Sequence, residues 1–229
     1  MTLPYDDRRD AGRQLATRLL AYAGDPRALV LGLPRGGVPV AYEVARALGA
    51  PLDLFLVRKL GVPGHEELAF GALATGGSCI YNDALLRELA LPPELIDVIA
   101  LREGRELTRR ERAYRGDRPP PEVRDRVVIL VDDGLATGAT MRAAVAAVRG
   151  QDPARLVVAV PVGAPSVCAL LRAEADEVVC AAMPEPFYAV GQWYEDFSET
   201  TDDEVRALLA AVWSERDGAA AGNAPPVSG

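Results

Sequence analysis

Residues 129–141 read ILVDDGLATGATM, and the order of residue types in this stretch has a chemical logic. Two adjacent carboxylates, Asp132 and Asp133, close the aliphatic run Val127–Val131. Gly134 and Gly138 let the backbone turn tightly and approach a ligand. Leu135 follows the first glycine, Ala136 and Ala139 keep the turn small, and Thr137 and Thr140 add hydroxyl donors. If a helix starts here, its first N–H groups and the positive end of its dipole are aimed at an anion. Carboxylates repel that anion, so Asp132 and Asp133 need a different partner, and sugar hydroxyls supply one. Amides for a phosphate beside acids for a diol describe a site for a phosphorylated sugar.

Such a site requires a strand, a turn and a helix in that order. Val127 to Val131 is apolar without alternation, as expected of a strand buried on both faces of a parallel sheet. Met141, Ala144, Val145 and Val148 then form the apolar stripe of a helix over 138–149. The acids therefore fall at the carboxyl end of a strand, where open α/β sheets place their ligands. Elsewhere the patterns predict helices over 7–22, 38–49, 93–115, 165–174 and 202–215, with strands over 28–33, 52–57, 155–160 and 177–182. Residues 61–67 read as loop and 68–81 as a hairpin, while 184–201 is irregular and aromatic-rich. Strands alternating with helices imply a doubly wound α/β fold with a mainly parallel sheet and right-handed crossovers. A domain over 1–216 is expected, with a flexible loop at about 60–80, a small hood at about 184–201 and a disordered tail at 217–229.

The composition of the 229 residues excludes several function classes. With 25 basic and 33 acidic residues the net charge is −8, against a general nucleic-acid binder, which needs a basic face. A hydrophobic content of 49% and a mean hydropathy of +0.05 fit a soluble globular protein. No apolar run is long enough to span a bilayer, and the polar start MTLPYDDRRDAG has no secretory pattern. Cys79, Cys168 and Cys180 have no CxxC spacing and read as small core residues, so the expectation is a cytoplasmic protein.

Three further groupings could serve the same site. Leu33-Pro34-Arg35-Gly36-Gly37 follows the first strand and opens a helix, so its amides and the Arg35 guanidinium are placed for phosphate oxygens. The bland alternative is a βα turn with a solvent-facing arginine. Arg58-Lys59 holds the only lysine of the chain, a compact ammonium retained where arginine serves everywhere else, although a skewed composition leaves one lysine by chance. His65, Glu66 and Glu67 follow on the loop as candidates for proton handling, or as solvated charges. Phe187, Tyr188, Trp193, Tyr194 and Phe197 are five of thirteen aromatics within eleven residues. They could stack on a heterocycle, cap the core, or form a dimer contact.

The acid-pair segment resembles the phosphoribosyl pyrophosphate (PRPP) loop of type I phosphoribosyltransferases: hydrophobics, two acids, two variable residues, a small residue, then Thr-Gly-x-Thr. The version with Ala at 136 is nearest to the adenine-type enzymes. The resemblance implies that Asp132 and Asp133 bind ribose hydroxyls and that Ala136 to Thr140 cradle the 5′-phosphate. It implies that Pro34 to Gly37 hold the pyrophosphate through an unusual, cis backbone at Pro34–Arg35. Arg58 and Lys59 would contact the same group at the opening of a closing loop. It also implies Mg2+, with Glu195 as a possible metal-facing acid and Tyr188 as the residue stacking on the acceptor. Beyond these motifs, residues from about 5 to about 210 are similar to uncharacterised bacterial phosphoribosyltransferase-like proteins sharing LPRGG, RKLG, HEE, VDDG-ATGAT and FYAVGQWY.

The reading that follows is a magnesium-dependent transferase, with PRPP and a nitrogen heterocycle as partners and a homodimer as the expected assembly. The candidate catalytic residues are Asp132, Asp133, Arg35 and Lys59; the candidate substrate contacts are Pro34–Gly37, Arg58, Lys59, Asp132–Thr140 and Tyr188. A receiver-type acidic pocket is disfavoured because no lysine follows residue 133. A dinucleotide oxidoreductase is disfavoured because LGLPRGG stands where G-x-G-x-x-G would be. A regulatory protein that kept the pocket and lost the chemistry is the remaining rival.

Overall fold

Five parallel strands form the central sheet in a computed structural model that describes residues 3–222. They are β1 (Ala28–Gly32), β2 (Leu52–Leu54), β6 (Val127–Val131), β7 (Arg155–Val162) and β8 (Glu177–Ala182). Across the sheet their order is β2-β1-β6-β7-β8. Their alternating side chains divide between two cores. Val30, Ile129, Val131 and Val157 face α2 (Gly37–Leu48) and α7 (Asp202–Gly222). Leu29, Leu31, Val128, Leu130 and Val158 face α5 (Ala139–Arg149) and α6 (Pro165–Leu171). Helices on both faces explain why the strand sequences read as continuous apolar runs.

Chain order makes β1 and β6 the decisive neighbours. From β1 the chain moves outward to β2, and from β6 it moves the other way through β7 to β8. The strand order thus reverses between β1 and β6, whose registers align Gly32 with Val131. Loops leaving these two strands diverge to opposite faces and leave a crevice between them, the usual ligand position in such sheets. The loop after β1 contains Pro34–Gly37 and the loop after β6 contains Asp132–Gly138.

The segment expected as a flexible loop at about 60–80 contains regular strands. β3 (Val57–Val62), β4 (His65–Ala74) and β5 (Ser78–Tyr81) form a separate antiparallel sheet. The loop expected over 61–67 contracts to a turn at Pro63-Gly64, with Gly64 at φ +78. Pairing of Val57–Val62 with β4 extends both strands past the point where their patterns fade. Two helices complete this side: α3 (Asp83–Leu89), which the sequence patterns did not indicate, and the long α4 (Pro93–Arg115). Asn82 caps α3 by accepting the Leu85 N–H at 3.1 Å.

At the other end α1 (Arg8–Ala16) stops six residues short of the helix expected to Tyr22, and Leu20–Tyr22 form a 3₁₀ turn instead. The irregular stretch 184–201 contains a 3₁₀ turn at Val190–Trp193 and packs Tyr194 with Tyr5, Ala11 and Val162. The tail expected at 217–229 is helical as far as Gly222, in keeping with the helix propensity of Ala219–Ala221. The remainder of that tail lies outside the described residues. Among the described residues no helix is long and apolar enough to cross a membrane.

Candidate functional site

The turn after β6 is held by a few short contacts. Leu135 donates its N–H to the Val162 carbonyl at 3.0 Å and accepts the Ala164 N–H at 2.8 Å. Its side chain is buried, so Leu135 anchors the turn and offers neither main-chain group outward. A Cβ on Gly134 would lie 2.5 Å from Val190 Cγ1, and one on Gly138 would collide with Val167. Gly138 also has φ +70, a conformation that favours glycine. Ala136, Thr137 and Thr140 remain exposed. α5 begins at Ala139 with no side-chain cap, so its first N–H groups have no side-chain partner at the cap. An uncapped helix start of this kind can accept an anion.

Across the crevice, the Leu33 N–H donates to the Val131 carbonyl at 2.8 Å and ties the second loop to the first. The Pro34–Arg35 peptide is cis, as the resemblance implied. The Gly37 N–H is taken by the Leu33 carbonyl at 3.0 Å, while α2 starts without a side-chain cap. Gly36 and Gly37 are required by proximity. A Cβ on Gly36 would fall on Asp133 Oδ2, and one on Gly37 would lie 2.7 Å from the Val131 carbonyl oxygen and 2.9 Å from Asp132 Cα. The glycines of one loop thus admit the acids of the other.

Asp132 and Asp133 lie between the loops and are partly exposed. Asp132 Oδ1 accepts the Asp133 N–H at 2.9 Å, and among the described residues no basic side chain forms an ion pair with it. Burial, reinforced by the neighbouring Asp133 charge, holds the Asp132 carboxyl well above the usual carboxylate range. Burial also raises Asp133, but Arg8 opposes the shift by donating Nε–H to Asp133 Oδ2 at 2.8 Å. The Tyr194 hydroxyl donates to the Asp133 carbonyl at 2.5 Å. Burial and the Asp133 charge raise the Tyr194 pKa, which keeps that phenol a donor.

The other expected contacts are disposed differently. Arg35 reaches across to Glu199 and lies 3.9 Å from Asp202, so acids at the end of the hood and the start of α7 occupy its guanidinium. Arg58 is clasped by the buried Glu103 of α4, with Nε 2.9 Å from Oε2. Lys59 is exposed beside it on β3, and His65 is exposed where β4 begins. Tyr188 is 76% exposed, while Phe187 stacks on Trp193 with centroids 6.2 Å apart and faces the hood interior. Glu195 is exposed and donates its N–H to the Tyr5 carbonyl at 2.7 Å. Among the described residues no three His, Cys, Asp or Glu side chains cluster to hold a metal.

Three participants were not recognised from the sequence: Arg8, Glu103 and Glu199. Arg8 meets Asp133 from 125 positions away, and its local setting, DRRDAG, reads only as a helix start. No local pattern could have singled it out.

Comparisons with known proteins agree with this geometry. Residues 5–190 match the model of the phosphoribosyl transferase domain family. Two chains of Mycobacterium tuberculosis, from strains CDC 1551 / Oshkosh and H37Rv, are named phosphoribosyl transferases provisionally. Each is 48% identical over 218 residues, which is 95% of this chain and 48% of the relative. The chain therefore spans about half the length of the curated relatives it matches. The crystal structure of TT1426 from Thermus thermophilus superposes with a TM-score of 0.82 at 46% identity, covering 90% of this chain and 98% of that one. With the family model spanning the loops after β1 and β6 and the acid pair between them, the chain belongs to the phosphoribosyl transferase domain family.

Proposed function

We propose that this protein transfers a phosphoribosyl group from PRPP to a nitrogen heterocycle, of the kind handled in nucleotide salvage, and releases pyrophosphate. The observation that carries this reading is the pair of uncapped loops flanking the β1/β6 reversal, with Asp132 and Asp133 between them. The amides of Ala136 to Thr140 take the 5′-phosphate and the acids take the ribose hydroxyls. Pro34 to Gly37 hold the pyrophosphate, with Arg35 released from Glu199 to join them. Arg58 and Lys59 reach the same group if the β3–β4 hairpin swings inward.

The acceptor nitrogen forms a bond to the anomeric carbon as the bond to the pyrophosphate oxygen breaks, with inversion, and the proton lost by the nitrogen passes to the departing pyrophosphate or to solvent. Positive charge on the sugar and negative charge on the leaving group grow together, so positioning and charge stabilisation supply most of the catalysis. Ala136 has no ionisable group and serves no acid–base role. The donor set fits magnesium carried in by phosphate oxygens: such ions need only one or two carboxylates, and Asp132 is the acid with no basic partner among the described residues. When bound, the ion would neutralise the leaving pyrophosphate.

A second reading has a specific observation in its favour. Arg35 and Arg58 are both already paired with acids, as in a protein that binds PRPP or a nucleotide without turning it over. One experiment separates the two. The protein is incubated with PRPP, Mg2+ and a panel of purine, pyrimidine and other heterocyclic bases, and pyrophosphate is measured. Release that depends on one acceptor supports transfer. PRPP binding without release for any acceptor supports the regulatory reading.

A further inference from the structure

We propose that Arg8 is a positioning residue that fixes the ribose acid Asp133 and couples it to the hood. The inference rests on the PRPP reading above and assigns a role to a residue outside every motif that led to it. Three segments converge on this one guanidinium. Nε–H donates to Asp133 Oδ2 at 2.8 Å and one terminal nitrogen donates to the Ser198 carbonyl at 2.6 Å. The guanidinium carbon lies 4.0 Å from the centroid of the Phe197 ring. A Cβ on Gly36 would come within 3.1 Å of Arg8 Nε, so the pyrophosphate loop passes against it as well.

The contact is well shielded: the side chains of Arg8 and Asp133 are 12% and 16% exposed. A planar fork that donates in two fixed directions while stacking on a ring is what arginine provides and lysine does not. Asp133 is held from its main chain too, because Tyr194 donates to its carbonyl and Tyr194 packs against Phe197 with centroids 5.0 Å apart. With Oδ2 committed to Arg8, Asp133 presents its other oxygen to a sugar hydroxyl in one orientation. Asp132, with no basic partner among the described residues, takes the remaining hydroxyl or a phosphate-borne cation. Two adjacent acids that look equivalent in sequence are therefore unequal. Arg8 also makes the placement of 197–198 depend on the acid that holds the ribose.

The test is a double-mutant cycle on PRPP affinity, measured by calorimetry with Mg2+ for wild type, Arg8→Ala, Asp133→Asn and the double variant. Arg8→Ala should weaken binding at least about tenfold, and adding it to Asp133→Asn should weaken binding no further, within about twofold. Arg8→Lys should stay at least about fivefold weaker than wild type, because charge without the fork does not orient the acid. Arg8→Ala binding within about twofold of wild type overturns the proposal, as does a double variant whose loss is the product of the single losses. Full rescue by lysine overturns it too. If Arg8→Ala does not fold, the cycle is run with Arg8→Lys and read by the same criteria.

Amide hydrogen exchange without ligand gives a readout independent of the PRPP reading. Arg8→Lys should lose protection at 132–134 and 196–199 together, and loss at only one of the two overturns the coupling. A wild-type protein that binds no PRPP, with paired exchange intact, overturns the functional reading and leaves the Arg8 tie standing.

Discussion

The carboxyl-end crevice and the antiparallel sheet at 57–81 both carry residues suited to PRPP, yet they hold them differently. In the crevice the residues lie just past strand ends, so the ladder of hydrogen bonds has stopped and amides at 136–140 are available outward. In the antiparallel sheet Arg58 and Lys59 lie inside a strand, paired in register with Leu73 and Ala72. Their main chain is committed to the ladder, and the Arg58 side chain is committed to Glu103. On the proposed function the crevice would bind as it stands, whereas the sheet would contribute only by moving or by exchanging partners.

The largest effect that could break this contrast is expected at glycine. Gly37→Ala places a Cβ against two backbone positions that cannot give way, and should cost about 3 kcal/mol of stability and abolish PRPP binding. Gly64→Ala, in the β3–β4 turn at φ +78, should cost only about 1 kcal/mol and leave PRPP affinity unchanged. Chemical unfolding and calorimetry on both variants check this. Equal losses of binding would dissolve the distinction between the two regions.

A second effect separates function from stability within the crevice. Asp132→Asn should weaken PRPP binding about tenfold or more while raising the stability of the ligand-free protein by about 1 kcal/mol at neutral pH. The sign follows from the raised Asp132 pKa. The folded state holds that proton more tightly than the unfolded chain, so stability falls as pH rises from the ordinary carboxylate value to the raised one. The penalty is complete above that window, and asparagine removes it while still accepting the Asp133 N–H. Thermal unfolding across pH reads the effect; a variant less stable than wild type at neutral pH contradicts it.

Smaller effects sharpen the other side. Glu103→Gln should lower stability by about 1–2 kcal/mol, because Arg58 loses its charged partner in a half-buried setting, with PRPP affinity within about twofold of wild type. Tyr188→Ala should change stability by less than about 0.5 kcal/mol, since the ring is exposed. Its effect is expected only in the KM for an acceptor, and an unchanged KM would remove Tyr188 from the site.

How much was legible in the sequence follows the same division. The parallel strands and the strand–turn–helix at 127–149 were readable because their signals are local: an apolar run, an acid pair, glycines and a helical stripe within about twenty residues. Val127–Val131 was placed to the residue, and α4 matched its expected span. The antiparallel sheet was only partly readable, since pairing between strands, and not periodicity, carries β3 to Val62 and starts β4 at His65. α3 was missed because its seven residues are too few to show a helical period. The ion pairs that tune the site, Arg8 with Asp133, Arg35 with Glu199 and Arg58 with Glu103, join residues 45 to 164 positions apart. Such pairs leave no mark on local sequence.

The most direct test of the central claim is a crystal structure of the protein with PRPP and Mg2+. The expected result is the 5′-phosphate on the amides of 136–140, ribose hydroxyls on Asp132 and Asp133, and the pyrophosphate against 34–37. PRPP bound elsewhere, or a crevice left empty at a PRPP concentration that saturates the protein in solution, would contradict it.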